Sequence, residues 1–231
     1  MKSSNFCIIN IGFENDQLNE KIFKILQQKV DNLDVPFVFA EKSIEWINWI
    51  DRKNSTFGGI GSGAAGCLLA HRQAWLKLIH SHYDYALVLE SDAKITKFGE
   101  KYLDYVLKTY ENSIYSIMHL GNHITFSQVF SFDNLLNLSP RGITKEIWER
   151  VYLRYKPPKF ANNQFPFSTH AYLIKKQAAE FLSNFEINFM AAIDVTLNSY
   201  SQTTRNNISR CRTPLFTQNV EQLSLTRMLG R

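Results

Sequence analysis

The chain has 231 residues, of which 45% are hydrophobic and 20% are charged, and this balance excludes a disordered protein. Its net charge of +5 and its pI near 9.0 favour an anionic partner, such as a nucleotide, a phosphorylated glycan or a membrane surface. No apolar run approaches the roughly 18 residues of a membrane span, and the N-terminus is a poor signal peptide. Three scattered cysteines, Cys7, Cys67 and Cys211, lack metal-ligand spacing and predict thiols in a reducing, cytoplasmic compartment.

The opening of the chain predicts a βαβ unit. Apolar runs at residues 6–11 and 35–40 are typical of buried strands, and Asn15 or Asp16 can cap a helix between them. Without a repeat or a low-complexity linker, we expect a single α/β domain over residues 1–231. Its central sheet should be mostly parallel and flanked by helices.

A glycine-rich stretch over residues 57–66 allows two interpretations. Gly61-Ser62-Gly63-Ala64-Ala65-Gly66 matches the G-x-G-x-x-G fingerprint of dinucleotide-binding oxidoreductases. That fingerprint requires a strand directly before it, and residues 49–55 are not typical of one. We therefore favour a turn that begins a helix.

The helix that follows is predicted over residues 64–82. Cys67, His71, Trp75 and Leu78 share one stripe of it, which indicates a buried face. On this periodicity alone, His71 is more typical of a hydrogen-bonded, half-buried side chain than of a catalyst.

Two carboxylates follow a continuous apolar strand at residues 85–89. Glu90 and Asp92 stand two positions apart, so they should point the same way beyond the strand's end. Ligands of open α/β sheets bind at the carboxyl ends of strands, and two carboxylates there would repel each other without a cation. This predicts a site, although a pair that caps the next segment or meets an arginine would give the same pattern.

Further elements are predicted downstream. A helix over 100–110 precedes a strand over 116–120 that ends in Gly121-Asn122-His123, and residues 122–168 form a long loop typical of a lid or binding segment. A strand over 168–174 contains His170, and a short helix covers 176–182. Asp194 follows an apolar stretch, where a helix N-cap is a common alternative to a functional role. Residues 200–231 are strongly basic.

The order of several short motifs resembles glycosyltransferase family 25 of lipopolysaccharide and lipooligosaccharide synthesis. The similar pieces lie between about residues 57 and 220: Gly66-Cys67-Leu68-Leu69-Ala70-His71, Ala86-Leu87-Val88-Leu89-Glu90-Ser91-Asp92, Thr169-His170-Ala171-Tyr172-Leu173-Ile174, Ile193-Asp194 with Leu197, and Pro214-Leu215-Phe216 with Gln218. Ser91 stands where the family usually has Asp, and Ala70 where it usually has Ser.

The resemblance implies a GT-A-like fold and an inverting transfer of sugar, usually galactose from UDP-galactose, onto a glycan acceptor. Mn²⁺ or Mg²⁺ would be held by Asp92 and Glu90, since hard oxygen ligands suit these ions. Asp194 is the expected base, and His170 is an alternative base or a further metal ligand. A strand histidine hydrogen-bonded in the core is the other interpretation of His170.

The resemblance also implies residues that contact the nucleotide-sugar donor: Glu90, Ser91, His71, Gly66 and His123. The basic segment over 200–231 could hold the enzyme peripherally on the inner face of the inner membrane, against anionic lipid. A non-catalytic relative that binds glycan or nucleotide remains an alternative, because Ser91 replaces an acidic residue. Nucleic acid is not an expected partner, since no recognisable binding module interleaves aromatic and basic residues.

Overall fold

A computed structural model describes residues 5–12, 24, 37–39, 62–121, 160–162, 169–184, 192–204, 208–211 and 213–218. In chain order its elements are β1 (Phe6–Gly12), β2 (Phe37–Phe39), α1 (Ser62–His80), β3 (Tyr85–Glu90), β4 (Ala93–Ile95), α2 (Lys97–Glu111), β5 (Ile117–His119), β6 (Phe160–Asn162), β7 (Ala171–Lys175), α3 (Lys176–Ser183), α4 (Ile193–Thr204), β8 (Ile208–Cys211) and β9 (Phe216–Gln218).

Seven of the strands form one mixed sheet in the order β2-β1-β3-β7-β5-β8-β6. The strands β1, β2, β3, β5 and β8 run in one direction, whereas β7 and β6 run against their neighbours. The sequence predicted a mostly parallel sheet, and five of its seven strands do run in the same direction. The antiparallel insertion of β7 has a consequence for function, because it brings the start of β7 beside the ends of β3 and β5.

Both faces of the sheet are covered, so its central strands are buried throughout. Every residue of β1 and of β3 is buried. Alternate side chains of β1 enter two separate cores: Cys7, Ile9 and Ile11 face one, and Phe6 and Ile8 face the other. The first core is completed by α1, α3 and α4, and the second by α2. The continuous apolar runs of the sequence follow from this two-sided burial.

The other two strands form a small second sheet. In it β4 pairs antiparallel with β9, with Ile95 opposite Phe216. Thr96 caps α2 by accepting a hydrogen bond from the N–H of Gly99 at 2.9 Å, and its hydroxyl also donates to the Leu215 carbonyl at 3.1 Å. A Cβ at Gly99 would lie 2.2 Å from that carbonyl oxygen, so only glycine fits there. This contact ties the segment after Asp92 to the one around Phe216.

Most predicted elements are confirmed, with shifts at their ends. The helices predicted over 64–82, 100–110 and 176–182 are α1, α2 and α3, and the strands predicted over 6–11, 35–40, 116–120 and 168–174 are β1, β2, β5 and β7. The helix α4 and the short strands β4, β6, β8 and β9 were not predicted. The strands have only three or four residues each, which is too few to show a periodic pattern.

Other predictions are only partly within the described residues. Of the helix predicted after Asn15, only Lys24 is described, and it is helical. His123, most of the loop over 122–168 and residues 219–231 of the basic segment also lie outside the described residues. Gly63 and Gly66 both lie inside α1, so these two glycines form no dinucleotide-binding loop. Across the described part of the chain, no helix combines the length and the apolar character that crossing a membrane requires.

Asn10 is a polar residue inside the second core. It is fully buried on the face of β1 that carries Phe6 and Ile8, and neither amide atom has a hydrogen-bond partner within the part of the chain that the structure describes. Burying an amide without a hydrogen bond costs about 1–3 kcal/mol in proteins. An apolar side chain of similar size at position 10 would therefore give a more stable fold than Asn10 does.

Replacing Asn10 with Leu, which has a similar volume, should raise the free energy of unfolding by about 1–3 kcal/mol, because it removes the unpaired amide. Urea denaturation followed by circular dichroism measures the change. Asn10→Asp is the matched control: it keeps the shape, adds a buried charge and should destabilise the fold. If Asn10→Leu is less stable than wild type, the Asn10 amide is not a destabilising unpaired group.

Candidate active site

The candidate site lies at the sheet edge where β3 and β5 end and β7 begins. Glu90 is the last residue of β3, His119 is the last of β5, and Thr169 and His170 directly precede β7. All four are buried, as is Asp92 in the turn after β3, which is 3% exposed. Because β7 is antiparallel to both neighbours, its N-terminal residues meet the carboxyl ends of the other two strands. The sheet topology thus collects buried polar side chains at one edge.

The Glu90 carboxylate is held by two side chains. Its Oε1 atom accepts a hydrogen bond from Thr169 Oγ1 at 2.6 Å and lies 3.0 Å from His71 Nε2. Burial would raise the pKa of Glu90, but the contacts with His71 and Thr169 outweigh burial and lower this pKa below its ordinary value of 4.5. Glu90 is therefore ionised at neutral pH inside the protein.

The partners of Glu90 are in turn held by buried groups of α1 and β7. His71 Nδ1 lies 2.8 Å from the Tyr172 hydroxyl, and Trp75 Nε1 donates to the same hydroxyl at 3.1 Å. His71 and Trp75 share one face of α1 by their spacing of four, and this face packs on the side of the sheet that carries Tyr172. His71, predicted as a half-buried hydrogen-bonded residue, is hydrogen-bonded and fully buried.

The turn after β3 is anchored through its backbone as well. The N–H of Glu90 donates to the carbonyl of His170 at 3.0 Å, and the N–H of Ser91 donates to the carbonyl of Ile11 at 2.8 Å. These bonds extend the β3 ladders beyond the strand on both sides. Asp92 is thus fixed one residue past a backbone held by two neighbouring strands.

Three carboxylates act on one buried thiol of α1. Burial raises the pKa of Cys67, and Glu90, Asp194 and Asp92 raise it further by their negative charge. Asp194 lies in the first turn of α4, partly exposed, and its Oδ1 accepts a hydrogen bond from the N–H of Val195 at 2.8 Å. The negative charges of the two predicted carboxylates after β3 and of the predicted base therefore all act on the Cys67 thiol.

Cys67, His71 and Glu90 also bring possible metal ligands together. One ligand atom of each lies within 4.8 Å of the others. Both ring nitrogens of His71 already have hydrogen-bond partners, because Nδ1 contacts the Tyr172 hydroxyl and Nε2 contacts Glu90. A metal bound by this histidine would displace one of these two contacts. We therefore interpret this trio as a hydrogen-bonded core cluster.

All three cysteines of the chain are buried thiols outside any disulfide, as the sequence predicted.

His170 is packed against a glycine. Its side chain is 2% exposed, and a Cβ at Gly121 would lie 2.3 Å from His170 Nε2, so a larger residue at 121 would collide with the ring. The ring of His119 packs edge-on at 6.1 Å. Burial lowers the pKa of His170, although Glu90 and a hydrogen bond with the Phe216 backbone oppose this effect. His170 is therefore neutral at neutral pH.

The predicted site residues that the structure describes lie at or near this edge. Gly66 is buried in α1, one residue before Cys67, and Ser91 is half-buried in the turn after β3. Sequence reasoning missed the roles of Thr169, Tyr172 and Trp75, although Thr169 and Tyr172 flank His170 in one of the motifs. Hydrogen bonds between residues up to 101 positions apart leave no signal in a single sequence.

A comparison with protein families supplies the class of protein that this fold and site belong to. Residues 8–197 match glycosyltransferase family 25, described as lipopolysaccharide biosynthesis proteins. The chain therefore belongs to glycosyltransferase family 25 and is a glycosyltransferase, which takes a nucleotide-sugar donor and a glycan acceptor. No curated protein matches the chain significantly.

Glu90→Gln should lower the free energy of unfolding at pH 7 by about 2–3 kcal/mol, because the amide replaces an ion that accepts two buried hydrogen bonds. The folded-state pKa of Glu90 lies below its ordinary value of 4.5. The stability from the ionised form is therefore present above pH 4.5 and is lost as the pH falls through the folded-state pKa. The difference between wild type and variant should shrink over that range.

Denaturation curves at a series of pH values test this expectation. Glu180→Gln, at an exposed position of α3, is the control and should stay within about 0.5 kcal/mol of wild type. A Glu90→Gln effect that is independent of pH would show that the carboxylate charge does not stabilise the fold.

Proposed function

We propose that this protein is a metal-dependent, inverting galactosyltransferase that moves galactose from UDP-galactose onto a lipopolysaccharide or lipooligosaccharide glycan. Family membership supports sugar transfer in lipopolysaccharide biosynthesis. The observation that supports the metal-dependent part is that two carboxylates, Glu90 and Asp92, lie buried at the carboxyl end of β3, and that Asp194 adds its negative charge to theirs at the Cys67 thiol. Such a concentration of negative charge favours a bound cation.

Carboxylate oxygens are the ligands that hard divalent cations prefer. Asp92 is buried in the turn after β3, and both hydrogen bonds that the described residues make to Glu90 go to Oε1. We propose that Asp92 holds Mn²⁺ or Mg²⁺ directly, and that Glu90 Oε2 contacts the ion or the donor ribose. When bound, the ion would offset the negative charge that develops on the departing diphosphate.

The acceptor hydroxyl needs a base, for which we propose Asp194. Inversion in one displacement requires a group that takes the proton of the attacking hydroxyl. Asp194 is partly exposed at the start of α4, where an acceptor can reach it. His170 is the alternative base, because its lowered pKa leaves the ring neutral and able to accept a proton. Its burial at 2% exposure makes it less accessible to an acceptor.

Other predicted features complete the proposal. Gly66, Ser91 and His123 are proposed donor contacts, whereas His71 is fully buried and is proposed to act on the donor through Glu90. A site at the carboxyl edge of a mixed sheet, with helices on both faces, supports a GT-A-like fold. We further propose a cytoplasmic enzyme whose basic segment over 200–231 contacts the anionic inner face of the membrane.

Asp92→Asn should lower sugar transfer about 100-fold or more, because it removes a charged ligand of the cation. Transfer of galactose from UDP-galactose to a lipooligosaccharide acceptor, titrated with Mn²⁺, measures the effect. Asp104→Asn on α2 is the matched control: its side chain is 43% exposed and pairs with Lys108, so transfer should not change. Wild-type turnover by Asp92→Asn would remove Asp92 from the metal site.

Asp194→Asn should lower kcat about 100-fold or more with little change in the binding of UDP-galactose, because only the proton acceptor is lost. Donor binding is followed by thermal shift, since a ligand of the folded state raises the melting temperature. If Asp194→Asn keeps its activity and His170→Asn loses it, the base is His170. Donor binding by wild type without turnover under any metal would indicate a non-catalytic relative.

A further inference from the structure

We propose that Trp75, Tyr172 and His71 form a one-directional hydrogen-bond chain that fixes the tautomer of His71 and positions Glu90. The chain crosses from α1 to β7 and back, through contacts of 3.1, 2.8 and 3.0 Å. Trp75 and Tyr172 thereby become positioning residues for the turn that carries Asp92. This last role rests on the proposed function of Asp92, whereas the tautomer of His71 does not.

The direction of the chain follows from its two ends. At one end Trp75 Nε1 can only donate, so the Tyr172 oxygen is the acceptor of that bond. At the other end Glu90 Oε1 already accepts a hydrogen bond from Thr169 Oγ1. This oxygen is therefore the acceptor of the contact with His71 as well, and the shared proton belongs to His71 Nε2.

The central contact then has a natural polarity. Tyr172 accepts from Trp75 and retains its own hydroxyl proton, and the Nδ1 atom of His71 lies 2.8 Å from the hydroxyl oxygen. Donation from Tyr172 to Nδ1 uses each proton of the chain once and gives each nitrogen of His71 one role. His71 is then the Nε2–H tautomer, the form that donates to Glu90.

The hydrogen-bond chain can position Glu90 because its members cannot move independently of one another. Trp75, His71 and Tyr172 are each fully buried, and the ring of His71 stacks on that of Tyr172 with centroids 5.6 Å apart. Tyr172 stands opposite Val88, two residues before Glu90 on the neighbouring strand. The chain therefore holds the side chain of Glu90, while backbone bonds from Glu90 to His170 and from Ser91 to Ile11 hold the adjacent main chain.

The tautomer is measured by ¹⁵N NMR on the full chain labelled at histidine, with His71→Asn used to assign the signals. We expect a protonated Nε2 and an unprotonated, hydrogen-bonded Nδ1 for His71. In Tyr172→Phe the Nδ1 resonance should move, because its donor is lost. Tyr110→Phe is the matched control: it removes the hydroxyl of another fully buried tyrosine, which donates to Ser116 on the other face of the sheet, and should leave His71 unchanged.

A His71 ring protonated on both nitrogens, or on Nδ1 alone, would overturn the proposed direction. The wild-type spectrum decides this even if Tyr172→Phe fails to fold, and it does so whatever reaction the protein catalyses. An Nδ1 resonance that stays in place in a folded Tyr172→Phe variant would overturn the contact itself.

The positioning role is tested by kinetics. Tyr172→Phe should raise the KM for the nucleotide sugar and the Mn²⁺ concentration for half-maximal activity about five- to tenfold, the size of one lost buried hydrogen bond. The KM for the glycan acceptor should not change, and Tyr110→Phe should behave as wild type. Equal effects on donor and acceptor, or none, would show that Tyr172 only stabilises the fold. If wild type transfers no sugar, the proposed function fails while the tautomer assignment stands.

Discussion

The buried carboxylate of Glu90 is the interaction on which the rest of the site depends. An ion at this depth is tolerated only if hydrogen bonds replace its hydration, and His71 and Thr169 supply them from a helix and from the start of a neighbouring strand. The pKa of Glu90 is lowered despite the burial, so these contacts outweigh the cost of removing the ion from water. The helix α1, the strand β3 and the start of β7 must therefore be correctly placed relative to one another for the Glu90 carboxylate to be ionised.

The sheet topology meets this requirement through one reversed strand. If β7 ran parallel to β3, its carboxyl end would lie at the site edge, and Thr169 and His170 would lie at the opposite edge. The antiparallel insertion instead places Thr169 beside Glu90 and joins the His170 carbonyl to the Glu90 backbone. Close packing of His170 on Gly121 joins β5 to the same edge. The candidate site is thus a product of strand order and direction.

Several features could be predicted from the sequence because each is local. The two-sided burial of β3 is contained in its unbroken apolar run, and the buried face of α1 in the spacing of Cys67, His71 and Trp75. The short strands β4, β6, β8 and β9 could not be predicted, because their pairing depends on segments distant in the chain. The partners of Glu90 were missed for the same reason, since Thr169 lies 79 positions away.

Periodicity and short ordered motifs are enough to predict the class of fold, the buried strand that Glu90 and Asp92 follow, and the family. The contact of His71 with Glu90, and the contacts of the Tyr172 hydroxyl with His71 and Trp75, are visible only in the folded chain. The same is true of the charges of Glu90, Asp92 and Asp194 that act on the Cys67 thiol. Ionisation and the positions of protons depend on neighbours in space. Those neighbours are selected by the packing of α1, β3, β7 and α4, which local sequence patterns do not specify.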